Sequence, residues 1–238
     1  MSARPFGICR SFAVLVLGFS LVLWPAASRA QDATGGIDVA VGGRWLFGAA
    51  LGSADANATT AAGEDFRLFS TRSERGGMPT IEGRIGVPLW RSMRAEAAVS
   101  FGVSNVLTRV SSDVEGVPDV TVRESIHEFT VEGSALAELA RRRPGARAVP
   151  FAMAGVGYLR DLHEGRTVVE TGALYHVGAG VTYVLGGARG PRSAGGDPLT
   201  RSLGLRADAR VVIRTGGASL TGRALVTPAI GASLFLRF

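Results

Sequence analysis

Between Leu203 and Arg214 the chain sets Arg206, Asp208 and Arg210 at every second position and fills the alternate positions with Leu205, Ala207, Ala209, Val211 and Ile213. A repeat of two is the period of a β-strand, whose successive side chains point to opposite faces. Only Val212 interrupts the charged face. The last segment repeats the pattern: Ile230, Ala232, Leu234, Leu236 and Phe238 share one face, and Ala229, Gly231, Ser233 and Arg237 the other, with Phe235 as the exception. Such strands belong where one side is polar and the other apolar.

The start of the chain suggests where that is. Arg4 and Arg10 precede an apolar run from Phe12 to Trp24, then Pro25 and Ser28-Arg29-Ala30, the order of a cleavable secretory signal cut after Ala30. The run is shorter than the roughly 20 residues a spanning helix needs. The expected division is therefore a signal peptide at 1–30, a short segment at 31–36 and one domain at 37–238. The single cysteine, Cys9, goes with the signal, which excludes disulfide and thiol chemistry from the mature chain. Arg4, Arg10 and Arg29 go too, lowering the formal charge from +6 to +3 and removing the case for nucleic acid. Every basic residue is Arg, which is attributed to composition bias rather than to phosphate binding.

No second long apolar segment follows, so a bilayer can be crossed only by a closed barrel; an open sheet edge would leave backbone groups unpaired in hydrocarbon. The alternation predicts an all-β, eight-stranded, antiparallel up-and-down transmembrane barrel with strands near Ile37–Phe47, Pro79–Leu89, Arg94–Arg109, Val120–Leu136, Val149–Leu159, Val168–Leu185, Leu203–Arg214 and Ala224–Phe238. Each reaches the roughly 9–11 residues that a tilted crossing needs. With both termini periplasmic, the outer loops fall at Gly48–Gly77, Ser111–Asp119, Arg160–Arg166 and Thr215–Arg223. The inner turns fall at Trp90–Met93, Ala137–Ala148 and Gly186–Ser202, the last read as a mobile Gly, Pro and Arg turn.

Turning Arg206 or Arg210 toward lipid would cost up to roughly 2–4 kcal/mol each near the midplane. The charged faces therefore point inward, which puts Arg44, Glu82, Arg84, Arg94, Glu96, Glu128, Glu132, Arg206, Asp208 and Arg210 inside as a self-neutralising plug. Tyr175 and Tyr183 share a face with Val177, Ala179 and Val181 and are spaced about 20 Å apart after tilting, which suits two aromatic girdles. Trp45 and Phe47 are expected at the outer rim, Trp90 and Phe238 at the periplasmic rim.

Motifs for chemistry are incomplete. His127-Glu128 and His163-Glu164 are half of a zinc-protease HExxH, but Val131 and Thr167 stand where the second histidine belongs. Gly155-Val156-Gly157 and Gly178-Ala179-Gly180 lack the third glycine of a dinucleotide loop. Asn57-Ala58-Thr59 is a glycosylation acceptor only in form, and His176 is read as an interior structural histidine. No cofactor and no metal site is expected.

The alternation, the length and the terminal run Ile230, Leu234, Leu236, Phe238 resemble the small eight-stranded bacterial outer-membrane barrels of the OmpA, OmpX and OmpW class, whose last strand carries the assembly signal. The resemblance implies a Gram-negative-type outer membrane, contact with its lipids and with the barrel-assembly machinery, and a monomer. Lipid A deacylases of similar architecture use a His-x-Ser pair; here Phe129, Gly165 and Gly178 follow the histidines at that spacing. The expected function is non-enzymatic, a structural, adhesive or surface-interaction role. A narrow, porin-like pore for small solutes and a lipid-modifying enzyme are the alternatives, and the surface partner is open.

Overall fold

The computed structural model describes residues 36–90, 92–139, 147–163, 168–192, 198–216 and 224–238, with the backbone alone between 187 and 201. The signal-peptide reading of 1–30 lies outside them. Ten strands are described: β1 (Asp38–Leu46), β2 (Ala49–Thr59), β3 (Asp65–Arg75), β4 (Met78–Trp90), β5 (Met93–Ser111), β6 (Val120–Glu138), β7 (Ala148–His163), β8 (Val169–Arg192), β9 (Pro198–Gly216) and β10 (Leu225–Arg237). No helix among the described residues is long and apolar enough to cross a membrane.

Eight strands close on themselves in the order β5-β4-β1-β10-β9-β8-β7-β6, and the ring is completed by an antiparallel β5–β6 ladder running from Met93↔Ala137 to Val110↔Val120. The first and last strands of the ring meet along their length, from Asp38↔Arg237 to Leu46↔Ala229. Closure leaves no edge in the ring, the condition for a sheet to survive away from water.

β2 and β3 lie outside the ring, and here the expected long outer loop Gly48–Gly77 is corrected. The chain continues from β1 and returns into β4 as a hairpin, Thr59↔Asp65 to Ala49↔Arg75, whose β3 arm adds to the far end of β5 from Arg75↔Val106 to Ser70↔Ser111. Its sequence hides this because only its base, at Leu51, Ser73 and Arg75, is buried, and the rest stands clear of the core with little apolar alternation on its sides. The expected inner turn Gly186–Ser202 is corrected as well. β8 and β9 stay paired from Gly187↔Ser202 to Arg192↔Pro198, since the backbone ladder does not depend on the Gly- and Arg-rich side chains that suggested a turn. The expected loop Arg160–Arg166 begins later, because β7 runs to His163, and the tips 164–167, 217–223 and 140–146 lie outside the described residues.

The strands are long. Nineteen residues in β5 and in β6 span about 63 Å at roughly 3.3 Å each. That is more than a tilted crossing consumes, so the wall formed by β2, β3, β5 and β6 rises past the rest of the ring at the end away from the termini.

Candidate functional site

The parity of each strand decides what the barrel contains. On β9 Arg206, Asp208, Arg210, Val212 and Arg214 are buried, while Leu205 and Val211 stay 47% and 44% exposed on the outer surface. On β4 Thr80, Glu82 and Arg84 are buried, while Ile81 is 71% exposed. Charge is inside and aliphatic surface outside, the reverse of a soluble barrel.

The enclosed charges form three tiers. The middle one joins Arg44, Glu82, Arg84, Glu96, Glu132, Arg206, Asp208 and Arg210 from five strands. Arg44 Nη2 lies 2.6 Å from Glu132 Oε1 and 2.9 Å from Glu82 Oε2. Arg210 Nε donates to Asp208 Oδ2 at 2.6 Å, and its terminal nitrogens reach Glu82 and Glu132 at 3.6 Å. Arg84 donates to Glu82 and lies 3.3 Å from Asp208, and Arg206 is 2.5 Å from Glu96. Four guanidiniums thus meet four carboxylates, with Ser100 and Thr130 hydroxyls bridging Arg44 and Glu132. An unmatched charge in so dry a space would be far more costly than this balanced set.

Arg94 and Glu128, expected with these, belong to the other two tiers. Toward the termini, Asp38 accepts from Arg237 at 2.6 and 2.9 Å and pairs with Arg94 at 2.8 Å. Toward the far end, Glu128 accepts from Arg75 at 2.8 Å and from Arg214 at 2.6 and 2.9 Å, while Asp161 is 3.7 Å from Arg75. Asp38, Arg75, Asp161, Arg214 and Arg237 were missed by sequence reasoning. Asp38 shares the parity of Arg44, Arg214 that of Arg210 and Arg237 that of Ser233, so a signal existed for those three. Arg75 and Asp161 sat in stretches read as loops.

Apolar layers separate the tiers. Leu46, Met78, Leu159, Leu174, Val212 and Ala229 pack between the middle and far tiers, and Leu136, Phe151 and Met153 pack toward the termini, where the Arg206 guanidinium sits 4.4 Å over the Phe151 ring. A cavity of about 30 Å³ beside Asp38, Arg84, Arg94, Glu96 and Arg206 has room for about two water molecules.

His176 is buried in the middle tier. Its Nε2 is 3.0 Å from Ser134 Oγ and 3.4 Å from Glu132 Oε2, so hydroxyl and acid meet the same ring nitrogen, and Nδ1 has no hydrogen-bond partner. A nucleophilic triad needs the acid on the nitrogen opposite the hydroxyl. His127 and Glu128 point to opposite faces, with His127 outward and stacked on Phe101 at 6.1 Å, so the two cannot share a ligand. His163 Nδ1 is 2.7 Å from Glu124. Among the described residues no group of three or more His, Cys, Asp or Glu is placed to hold a metal ion.

The six aromatics expected at the rims, Trp45, Phe47, Trp90, Tyr175, Tyr183 and Phe238, lie on the outer surface, between 39% exposed for Tyr183 and 73% for Trp90. Ile230 lies on the same surface directly opposite Trp45, with Leu234 and Leu236 below it.

No family model matches the chain, and no curated protein matches it in sequence. Among solved structures, Neisserial surface protein A is similar at 12% identity and a TM-score of 0.47, spanning 85% of this chain and 97% of that one. The outer membrane protein OprG from Pseudomonas aeruginosa gives 10% and 0.46, over 87% and 99%. The N-terminal β-barrel domain of OprF from the same organism gives 13% and 0.36, over 85% and 99%. The architecture stands on the hydrogen-bonded ring itself: this chain folds as a closed eight-stranded antiparallel β-barrel with a charged, filled interior and an apolar outer wall.

Proposed function

We propose that the chain is an integral β-barrel of a bacterial outer membrane, non-enzymatic and plugged, with a structural, adhesive or surface-interaction role. The observation that carries this reading is the inverted polarity. Outward residues such as Ile81, Ile85, Val156, Val177 and Ile230 are more than half exposed, while the arginines and acids of the same strands are enclosed in paired sets. In water that arrangement would leave a broad apolar wall uncovered; against hydrocarbon it is the stable one.

An interior of eight strands is only wide enough for side chains to fill, and the three tiers and two apolar layers support a plug over a conduit. The raised wall of β2, β3, β5 and β6 supports a role beyond the membrane surface. Fractionation of expressing cells is the test. The chain is expected in outer-membrane fractions, resistant to salt washing, and its recovery in the soluble fraction without detergent would overturn the reading. Attachment of those cells to surfaces is expected to fall when the β2–β3 hairpin is shortened.

A further inference from the structure

The chain holds two asparagines, Asn57 and Asn105, and the first opens the acceptor triplet Asn57-Ala58-Thr59. By sequence alone the triplet is an acceptor in form only. The β2–β3 hairpin gives it a position. The register shift between Ala56 and Asn57 leaves its extra residue, Leu68, on β3, so β2 itself stays regular and Asp55, Asn57 and Thr59 stand on one face, all exposed. Ser53 continues that face opposite Arg72, while Ser73 beside it is buried, so the face looks away from the barrel interior.

The neighbours of Asn57 on this face are tied to β3. Ser70 Oγ donates to Asp55 Oδ1 at 2.6 Å, and Thr59 Oγ1 donates to Asp65 Oδ1 at 2.6 Å. The Asn57 side-chain amide between them makes no hydrogen bond to a described residue, so a substituent on its nitrogen breaks none. Asn105 differs on each count: it lies within the β5–β6 ladder, accepts from Ser125 Oγ at 3.3 Å and is followed by Val106 and Leu107, with no hydroxyl. β2 is also an edge strand, paired with β3 alone, and it carries one charge, Asp55, and no proline. Edges of this kind invite further strands unless something covers them.

Resting on the reading of the chain as an exported outer-membrane barrel, we propose that Asn57 is an N-glycosylation site whose co-substrate is an oligosaccharide carried on a lipid diphosphate. The Asn57 amide nitrogen bonds to the anomeric carbon of the sugar. The bond from that carbon to the diphosphate oxygen breaks, and its electron pair leaves with the lipid diphosphate. The proton lost by the amide passes through a base of the transferase to the leaving diphosphate, and nothing is oxidised or reduced. In the finished hairpin the Thr59 hydroxyl is held by Asp65, so transfer precedes the pairing of β2 with β3, while the exported chain is still unfolded. After folding, the glycan sits on an exposed outer face, where its bulk and hydration are tolerated, and it shields the free edge of β2 from a second copy.

The test uses the chain purified from the outer membranes of the organism that encodes it. Trypsin releases Trp45–Arg67, in which Asn57 is the single asparagine. Mass spectrometry is expected to find this fragment heavier by an oligosaccharide, and an asparagine-specific amidase should remove the sugar and leave aspartate in place of Asn57. Asn57→Gln should abolish the increment, and Thr59→Ala should lower occupancy about fivefold or more, as the loss of a hydrogen bond to the transferase predicts. Thr59→Ser and Asn105→Gln should leave it unchanged. Because transfer precedes folding, a variant that loses its heat-shifted gel mobility is scored on the same fragment. An unmodified fragment from outer-membrane protein, wild-type occupancy in Thr59→Ala, or a sugar that survives Asn57→Gln and so sits on a hydroxyl would each overturn the inference and leave the barrel reading standing. Recovery of the chain in the soluble fraction without detergent would instead bring down the exported-barrel reading, and this inference with it.

Discussion

Arg210 reaches three carboxylates, Asp208, Glu82 and Glu132, and no single one of these pairs describes its role. Removing its charge leaves the middle tier with an excess of one acid inside a dry wall, which typically costs about 3–5 kcal/mol. Arg210→Leu is therefore expected to lower the urea midpoint far more than Arg147→Leu, at the exposed residue just before β7, which should stay within about 0.5 kcal/mol of wild type. Equal midpoints would show that the tier carries no stability. Space is as strict as charge. A Cβ on Gly155 would stand 2.3 Å from His176 Nε2 and 2.6 Å from the Gly133 carbonyl oxygen, whereas on Gly83 it would meet nothing nearer than a Val99 methyl at 3.8 Å. Gly155→Ala should cost about 1–3 kcal/mol and Gly83→Ala close to nothing, read by the same midpoints. The parity of Arg206, Asp208 and Arg210, and with it the Asp208–Arg210 pair, is legible in the chain, but their partners on other strands are not, because those pairs join residues up to 124 positions apart.

Six of the eight ring strands can be traced from apolar alternation to within a few residues at most ends, since one face of each is apolar and the other turns toward a charged interior. The other two, β8 and β9, run past their expected ends into a paired extension from Gly187↔Ser202 to Arg192↔Pro198. The β2–β3 hairpin is illegible for the opposite reason: with only Leu51 at its base buried among apolar residues, the rest of it carries no apolar period. It contributes Arg75 to the far tier through its last position and Leu51 to a buried cluster with Val106 and Ile126, and otherwise stands outside the ring. Replacing Ser53–Arg72 by a short turn while keeping Arg75 should leave a folded barrel, checked by unchanged heat-shifted mobility on a detergent gel. Loss of that shift would mean that the hairpin, and not the ring, holds the fold.

Closure and filling are properties of the assembled molecule. Because the ring leaves no frayed edge for detergent to open, unboiled and boiled protein should migrate differently across a range of detergent concentrations. Planar bilayers containing the full chain should show no sustained conductance steps, since any path meets paired charges and then the apolar layer of Leu46, Met78, Leu159, Leu174 and Val212. Steady unitary steps in the wild-type chain would favour the pore reading. Steps that arise only in Arg210→Leu would fit a plug whose middle tier has been opened.

Period-two alternation by itself determined that the chain forms strands, and the gathering of arginines and acids on one side of each strand marked the face that turns inward. Those are local rules, readable from neighbouring residues. Only the tertiary structure decided that Arg94 shares Asp38 with Arg237 instead of joining Arg44 and Arg210, that Glu128 serves Arg75 and Arg214, and that Arg72 of β3 comes to face Arg109 of β5. Strand tilt and ladder register set the height of every side chain around the ring. A stagger between strands distant in sequence leaves no mark on the alternation within any one of them.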